Sequence, residues 1–342
     1  MTHGAPGATA PEELTPGIFS TSGLPTARRV ELWESHNAAA LIGLAVRAPD
    51  TLDAAELNVQ LPRARLARVT GSAHSVERTS DLIERWPADS VVVFLTLRGQ
   101  ARFSADGVAL ERRRGDALAW ETDRPFARTF VAGLEELVVT VPWAELIARS
   151  ESPKLMAGPV ATSFGAPSAT GPAGSAGAAR SAAWGRPDQY ARALARIAGR
   201  AARAERPLRP DEPTVLDLVA AIAAGPRAAA GPARRAAARS YIEEHLTDPN
   251  LGAGEIAAAA CISERQLSRL FAADGGSVPR HILGRRLQLA HSILSAPRAP
   301  TVAEVAAQCG FTSAAYFSHA FRQRFGHRAS ELRHEAIGPN RR

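Results

Sequence analysis

CGFTSAAYFSHAFRQRFG, residues 309–326, is the stretch whose reading decides the fold. Four phenylalanines and Tyr316 crowd into it, although aromatic residues make up only 6% of the chain. Such a concentration reads either as a buried helical seam or as a surface on which bases stack. The surrounding sequence separates the two.

A second segment of the same plan lies about 50 residues upstream. EIAAAACISERQLSRLF (255–271) and EVAAQCGFTSAAYFSHAF (304–321) each open with an acidic residue, a β-branched residue and alanines, a recipe for a short, closely packed helix. A small-residue turn follows, then a Ser or Thr suited to capping, then a helix ending in Phe. This is a helix-turn-helix pattern, in which the second helix of each pair enters the DNA major groove. One such pattern is weak, because alanine-rich helical hairpins are common. Two copies joined by a long helix, roughly Pro279 to Leu294, are a strong signal. For both to read one face of DNA they should lie one helical turn, roughly 34 Å, apart. RRAAARSYIEEHL, ending at Thr247-Asp248-Pro249, adds an amphipathic helix in front of them.

The charge agrees. From Pro232 onward there are 15 arginines against nine acidic residues, whereas residues 1–231 hold 26 basic against 25 acidic ones. Nearly all of the net +7 therefore sits in the last third, as suits a polyanion partner. A solvated basic face is the alternative on charge alone. Lys154 is the single lysine, so arginine richness is a bias of the whole chain and not a sign of bidentate readout.

At 342 residues, 45% of them hydrophobic, the chain is long enough for two domains with real cores. No apolar run is long enough to span a membrane, and MTHGAPGATAPEELTPG has neither the basic start nor the apolar core of a signal peptide. Two cysteines, Cys261 and Cys309, are too few for a disulfide framework. The expected compartment is the cytoplasm.

Ala-, Pro-, Gly- and Thr-rich residues 1–25 predict a disordered tail, and residues 151–186 a flexible linker. Between them, residues 26–150 begin with a helical segment, ARRVELWESHNAAALIGLAVRA, and continue as short strands. SVVVFLTL (90–97) is a β-branched run bounded by RGQ, and Asp106-Gly107 is a hairpin turn because that pair tolerates positive φ. Frequent turns between short strands predict an antiparallel sandwich or barrel. Residues 187–231 carry two helical segments, read as a connector and a possible dimerisation face. Residues 232–335 form the all-α domain.

GFTSAAYFSHAFRQRFGHRASELR closely resembles the signature of AraC/XylS transcription regulators: Gly-Phe, a small-polar turn, an aromatic pair, Phe, basic residues, Phe-Gly, and a short segment ending in Arg. The resemblance covers about residues 234–334, including the connecting RRLQLAHSIL. RRVELWESH, RTSDLIER, LRGQARFSADGVALERRRGDALAWETDRPFART and VPWAEL are similar, in order and spacing, to the cupin-like sensor of one branch of that family. The resemblance implies a multidomain α+β protein: a cupin-like β-barrel, a helical connector and a double helix-turn-helix domain. It also implies a sequence-specific regulator bound to double-stranded promoter DNA, answering to a small organic effector, acting as a homodimer and touching RNA polymerase.

By the same resemblance Phe311, Phe317, Phe321 and Phe325, with Tyr316 beside them, pack the second reading helix onto its support. Bases are then read between them. Ser263 caps the first reading helix and leaves Arg265, Ser268 and Arg269 outward, the positions the resemblance assigns to base reading. The matching positions of the second are Ala314, Ala315, Ser318 and His319. Arg265 and Arg269 suit a guanine edge, while two alanines do little more than touch a thymine methyl, so specificity is expected mainly from the first helix. Ser263, Ser313, Arg285, Arg286 and Arg322 are candidate phosphate contacts. Cys261 stands where the turn usually carries glycine, as Gly310 does in the second unit.

Cupin-like barrels include metal enzymes, but His36 and His74 lie far apart, and no paired histidine, nucleophile elbow, P-loop or Cys-x-x-Cys occurs. No catalytic residue, metal or cofactor is expected. A barrel without metal still binds small molecules, and His74, Arg78, Trp86, Phe94 and Trp120 are the candidates, with Trp86, Trp120 and Phe94 equally readable as core. Two alternatives remain: a regulator whose barrel only dimerises, and a cupin-type enzyme fused to a DNA-binding module.

Overall fold

The computed structural model describes residues 17–48, 51–149, 158–163, 189–203, 208–224, 230–273 and 275–337. They form two compact units, one built on the sheet up to Ala237 apart from residues 203–209, and the other on the helices from Ala238 onward together with those residues.

In the first unit β1 (Gly17–Ser20) and α1 (Arg29–Ala40) lead into β2 (Ala45–Arg47), β3 (Ala54–Gln60), β4 (Arg65–Gly71) and β5 (His74–Arg78). Then come α2 (Ser80–Arg85), β6 (Ser90–Ala105), β7 (Val108–Arg113), β8 (Asp116–Glu121), β9 (Phe126–Pro142) and α3 (Trp143–Ile147). β10 (Val160–Ser163), α4 (Gln189–Ala201) and α5 (Glu212–Ala224) complete the unit. Among the described residues the hydrogen-bonded path runs β1-β3-β4-β9-β6-β8-β10, with β5 on β9, β2 on β5 and β7 on β6. The path does not close, so the unit is an open, cupin-like antiparallel sheet.

Two long antiparallel strands carry this architecture. β6 does not end at RGQ, as its sequence suggests, but continues through register shifts between Thr96 and Ala101. Gly99 and Gly133 make the bend possible. Both have positive φ (86° and 79°), and a Cβ on Gly99 would lie 2.3 Å from the carbonyl oxygen of Gly133. Bulges of this kind turn a sheet sharply enough for one strand to pair on two fronts. β6 thus pairs with β8 through Val91–Leu95 and with β7 through Gln100–Ala105. Asp106 and Gly107, at φ 49° and 74°, form the expected hairpin turn.

The core is aromatic. Phe103 meets Trp120 edge-on at 5.3 Å and stacks on Phe126 at 5.8 Å, with Phe94 behind Phe126 at 6.1 Å. Arg128 lies 3.8 Å over Phe94 and forms a two-pronged ion pair with Glu136, both bonds 2.7 Å and both residues buried.

Two described segments lie outside the expected sheet domain. Gly17–Ser20, inside the expected tail, pairs with Ala55–Asn58, and Val160–Ser163, inside the expected linker, pairs with Asp116–Ala119. Their backbone hydrogen bonds come from partners distant in sequence, which composition cannot reveal. The rest of the tail and most of the linker lie outside the described residues. The connector helices pack on the sheet: α4 lies against β4 and β9 with Leu194 and Ile197 inward, and α5 is buried from Thr214 to Ala223. Buried Asp217 of α5 meets Arg149 at 3.6 Å and Arg235 at 3.5 Å.

The second unit takes the C-terminal part of α6 (Ala230–Glu244), then α7 (Ala253–Ala259), α8 (Glu264–Ala273), α9 (Val278–Leu294), α10 (Val302–Gln308), α11 (Ala314–Phe325) and α12 (Ala329–Ile337). Local chemistry sets the boundaries. Thr301 and Glu304 form a capping box, Ser277 and Ser313 cap α9 and α11, and left-handed Gly326 ends α11. Leu287, Ala290, Leu294, Val305, Cys309, Phe317 and Phe321 form one buried cluster, with Phe311 and Phe325 against it.

Candidate nucleic-acid interface

α7 with α8, and α10 with α11, are the two helix-turn-helix pairs, and α9 joins them. In α8, Leu267 and Phe271 are buried one turn apart, leaving Arg265, Ser268 and Arg269 exposed on the other side. Ser263 accepts from the Gln266 amide at 3.3 Å, while Gln266 Oε1 accepts from the Ser263 amide at 3.0 Å. This reciprocal cap fixes the start of the helix. In α11, Phe317, Ala320 and Phe321 face inward; Ala314, Ala315, Ser318, His319 and Arg322 face outward. Ser313 Oγ accepts from the Tyr316 amide at 3.2 Å, and Ser318 Oγ donates to the Ala314 carbonyl at 2.9 Å.

Two phosphate candidates are spoken for. Arg285 is 3% exposed; its Nε and Nη2 donate to Glu243, and its Nη1 donates to the Arg209 carbonyl at 2.8 Å. It ties α9 to α6 and has no free edge for DNA. Arg286 donates to the carbonyls of Leu246 (2.9 Å) and Asp248 (2.5 Å), and burial lowers its pKa. It caps the end of the helix that precedes α7. Neither role is visible in a helical repeat, because both partners lie about 40 residues away.

Tyr316 is the residue the sequence misplaced. It is 55% exposed, not core. One residue of helix is about 100° of rotation, so a neighbour of Phe317 need not share its burial. That rotation was the available signal, and it puts a large aromatic side chain beside Ala315 and His319.

The five ligand candidates do not converge. Trp120 and Phe94 belong to the aromatic core. Arg78 is buried and donates to the carbonyls of Thr122, Gly43, Leu82 and Trp86 and to the Asp123 carboxylate. It is a structural clamp, not a free ligand contact. His74 is buried against Phe130 with Nδ1 2.7 Å from the Ser72 carbonyl, and burial pushes its pKa down. Trp86, 46% exposed, alone faces open space. Among the described residues no group of three or more His, Cys, Asp or Glu is placed to hold a metal, and no helix is long and apolar enough to cross a membrane.

A cupin-like sheet unit followed by paired helix-turn-helix units defines the class of AraC-type regulators. A family model described as an AraC-binding-like domain matches residues 36–251, more than half of the chain, and one described as a helix-turn-helix domain matches residues 256–335. The chain belongs to the AraC/XylS family of transcription regulators. It is 35% identical over 101 residues to the transcriptional activator RhrA of Rhizobium meliloti, covering 29% of this chain and 32% of that protein. The chain thus spans about a third of that relative's length. Among solved structures, the AraC-like transcriptional activator CuxR aligns over 80% of this chain and 94% of its own, at 19% identity and a TM-score of 0.46. The DNA-binding domain of AdpA, solved in complex with a target DNA, aligns over 28% of this chain and 86% of its own, at 26% identity and a TM-score of 0.26.

Proposed function

We propose that this protein is a transcription regulator, not an enzyme, that binds promoter DNA in the cytoplasm and reads it mainly through α8. The observation that carries the reading is the contrast between the two outward faces. α8 offers Arg265 and Arg269, each able to make two hydrogen bonds to guanine, and α11 offers Ala314 and Ala315. Arg322 supplies phosphate contact, and Ser263 and Ser313 act through the caps they make. The sheet unit, with the helices that pack on it, senses a small organic effector and supports dimerisation; the helical unit reads DNA and touches RNA polymerase. Effector binding shifts promoter occupancy only if one arrangement of the protein binds it better than another.

DNA from upstream of its own and neighbouring genes, titrated with salt beside the Arg265→Ala/Arg269→Ala variant, tests this reading. One fragment should bind well above random DNA, and the variant should lose mainly that preference. Uniform, steeply salt-dependent binding that the variant leaves unchanged would mean phosphate contact alone.

The filled aromatic interior favours a second reading, in which the sheet unit only dimerises. A thermal-shift screen separates the two, because a ligand of the native state raises the midpoint.

A further inference from the structure

The sheet unit contains an open cleft that, of the five ligand candidates, Trp86 alone lines. It has a volume of about 510 Å³ and lies where β4 and β6 begin, β9 ends and α1 turns into the sheet. Pockets of several hundred Å³ are the size that holds small molecules. Its lining is mostly polar, and its apolar part is the half-exposed ring of Trp86 with buried Leu41 and Ile42 behind. Gly43 helps to seat that ring: a Cβ there would lie 3.3 Å from Trp86 Cε3.

The charge in the cleft has one sign. Arg63, Arg65 and Arg85 line it, and no acidic residue does among the described residues. Arg63 is engaged by Glu212 (3.1 Å) and Glu145 (3.5 Å). Arg65 has one long hydrogen bond, 3.3 Å to the Leu41 carbonyl, and the Arg85 guanidinium rests 4.9 Å over the Trp86 ring. Both keep donors for a further partner.

Thr140 supplies the independent sign of a ligand. It lines the same cleft, is 4% exposed, and its hydroxyl has no hydrogen-bond partner. Buried hydroxyls are normally paired, so the Thr140 hydroxyl has a donor to offer a group seated against it. Thr140 stands directly opposite Arg65 in the β4–β9 register, and opposed residues of antiparallel strands project to the same side.

We propose that this cleft binds a small organic anion with an apolar body, its charge held by Arg65 and Arg85, its acid group accepting from the Thr140 hydroxyl, and its body against Trp86, Leu41 and Ile42. The proposal rests on reading the sheet unit as a sensor, and it moves the ligand from the filled interior to the strand ends. Guanidinium forks suit carboxylate and phosphate alike, so the probes must separate the two.

The test is calorimetric titration of the full chain with benzoate, phenyl phosphate and neutral benzamide. One saturable site is expected for benzoate or phenyl phosphate, with benzamide weaker by about tenfold or more. Whichever anion binds more tightly identifies the acid group. Arg65→Ala and Arg85→Ala should each weaken that anion by about tenfold, and Thr140→Val by less. Arg98→Ala, which removes the same charge from an exposed site elsewhere, should leave it unchanged. Equal binding of benzamide, equal loss in Arg98→Ala, or no saturable binding by either anion would overturn the proposal. If benzoate binds as expected but promoter occupancy does not respond, the cleft stands and the sensor reading falls. If another compound moves occupancy while both anions fail to bind, the cleft falls and the sensor reading stands.

Discussion

Cys261 and Gly310 occupy the same left-handed position in the two helix-turn-helix turns, at φ 53° and 79°. The match extends to the backbone. Cys261 donates to Ala258 and Ile262 to Ala257; Gly310 donates to Ala307 and Phe311 to Ala306, all four bonds 3.0 Å. What differs is the space around them. A Cβ on Gly310 would lie 2.8 Å from the Thr247 carbonyl and 3.1 Å from the Arg286 guanidinium, whereas Cys261 is exposed. Backbone strain alone opposes a side chain at 261; strain and collision together oppose one at 310. A non-glycine residue in this region costs about 1–3 kcal/mol, partly offset by glycine's greater freedom in the unfolded chain. Cys261→Gly should therefore stabilise the protein by about 0.5–1 kcal/mol and Gly310→Ala should destabilise it by about 2 kcal/mol or more, both read by urea unfolding.

Arg285 should behave as a structural residue. Arg285→Ala leaves Glu243 buried without its partner and should cost about 3–5 kcal/mol. Arg285→Lys should recover little of it, because a point charge cannot reproduce the two-pronged contact. If Arg285→Ala kept its unfolding midpoint and lost DNA affinity alone, the original phosphate assignment would be right after all.

Acid should weaken the sheet unit through Asp123. Burial raises its pKa, but the amides of Ala88 and Asp89 and the Arg78 guanidinium outweigh burial and hold the carboxyl below the usual range. Folding therefore favours the ionised form. The contribution is complete above the unfolded value, about 3.9, and is lost as pH falls through the depressed folded value. Asp123→Asn should unfold at lower urea than the parent at neutral pH, and its midpoint should fall less between neutral pH and the acid range below about 4.

Tyr316 should matter to DNA and not to stability. Truncating a residue 55% exposed removes little packing, so Tyr316→Ala should keep the thermal midpoint while weakening operator binding. A large fall in the midpoint with unchanged binding would return Tyr316 to the core.

Much of the helical unit was legible because its rules act over three or four residues. The caps at Ser263 and Ser313 and the paired pattern of 255–271 and 304–321 all follow from short spacings. The outward positions of α8 and α11 followed in the same way. Tyr316 escapes because an aromatic-rich helix reads as one seam, when the seam is Phe317 and Phe321 with Phe311 and Phe325 packed against them.

The sheet unit was legible in class and not in layout. The Asp106-Gly107 turn and the buried run from Val91 to Leu95 are local features, and both are where their residues predict. The cleft was not legible, since Arg65, Arg85 and Thr140 come from separate elements and nothing in their immediate neighbours marks them.

The sequence by itself thus determined the family, the two helix-turn-helix pairs and the capped starts of their second helices, because helix formation is decided by side chains within a turn of one another. Only the tertiary structure decided which arginines are free. Arg265 and Arg285 are alike in sequence terms, but Glu243 and the Arg209 carbonyl bury one of them while the other remains exposed. A guanidinium's role depends on the partners that folding brings to it, and those partners come from distant parts of the chain.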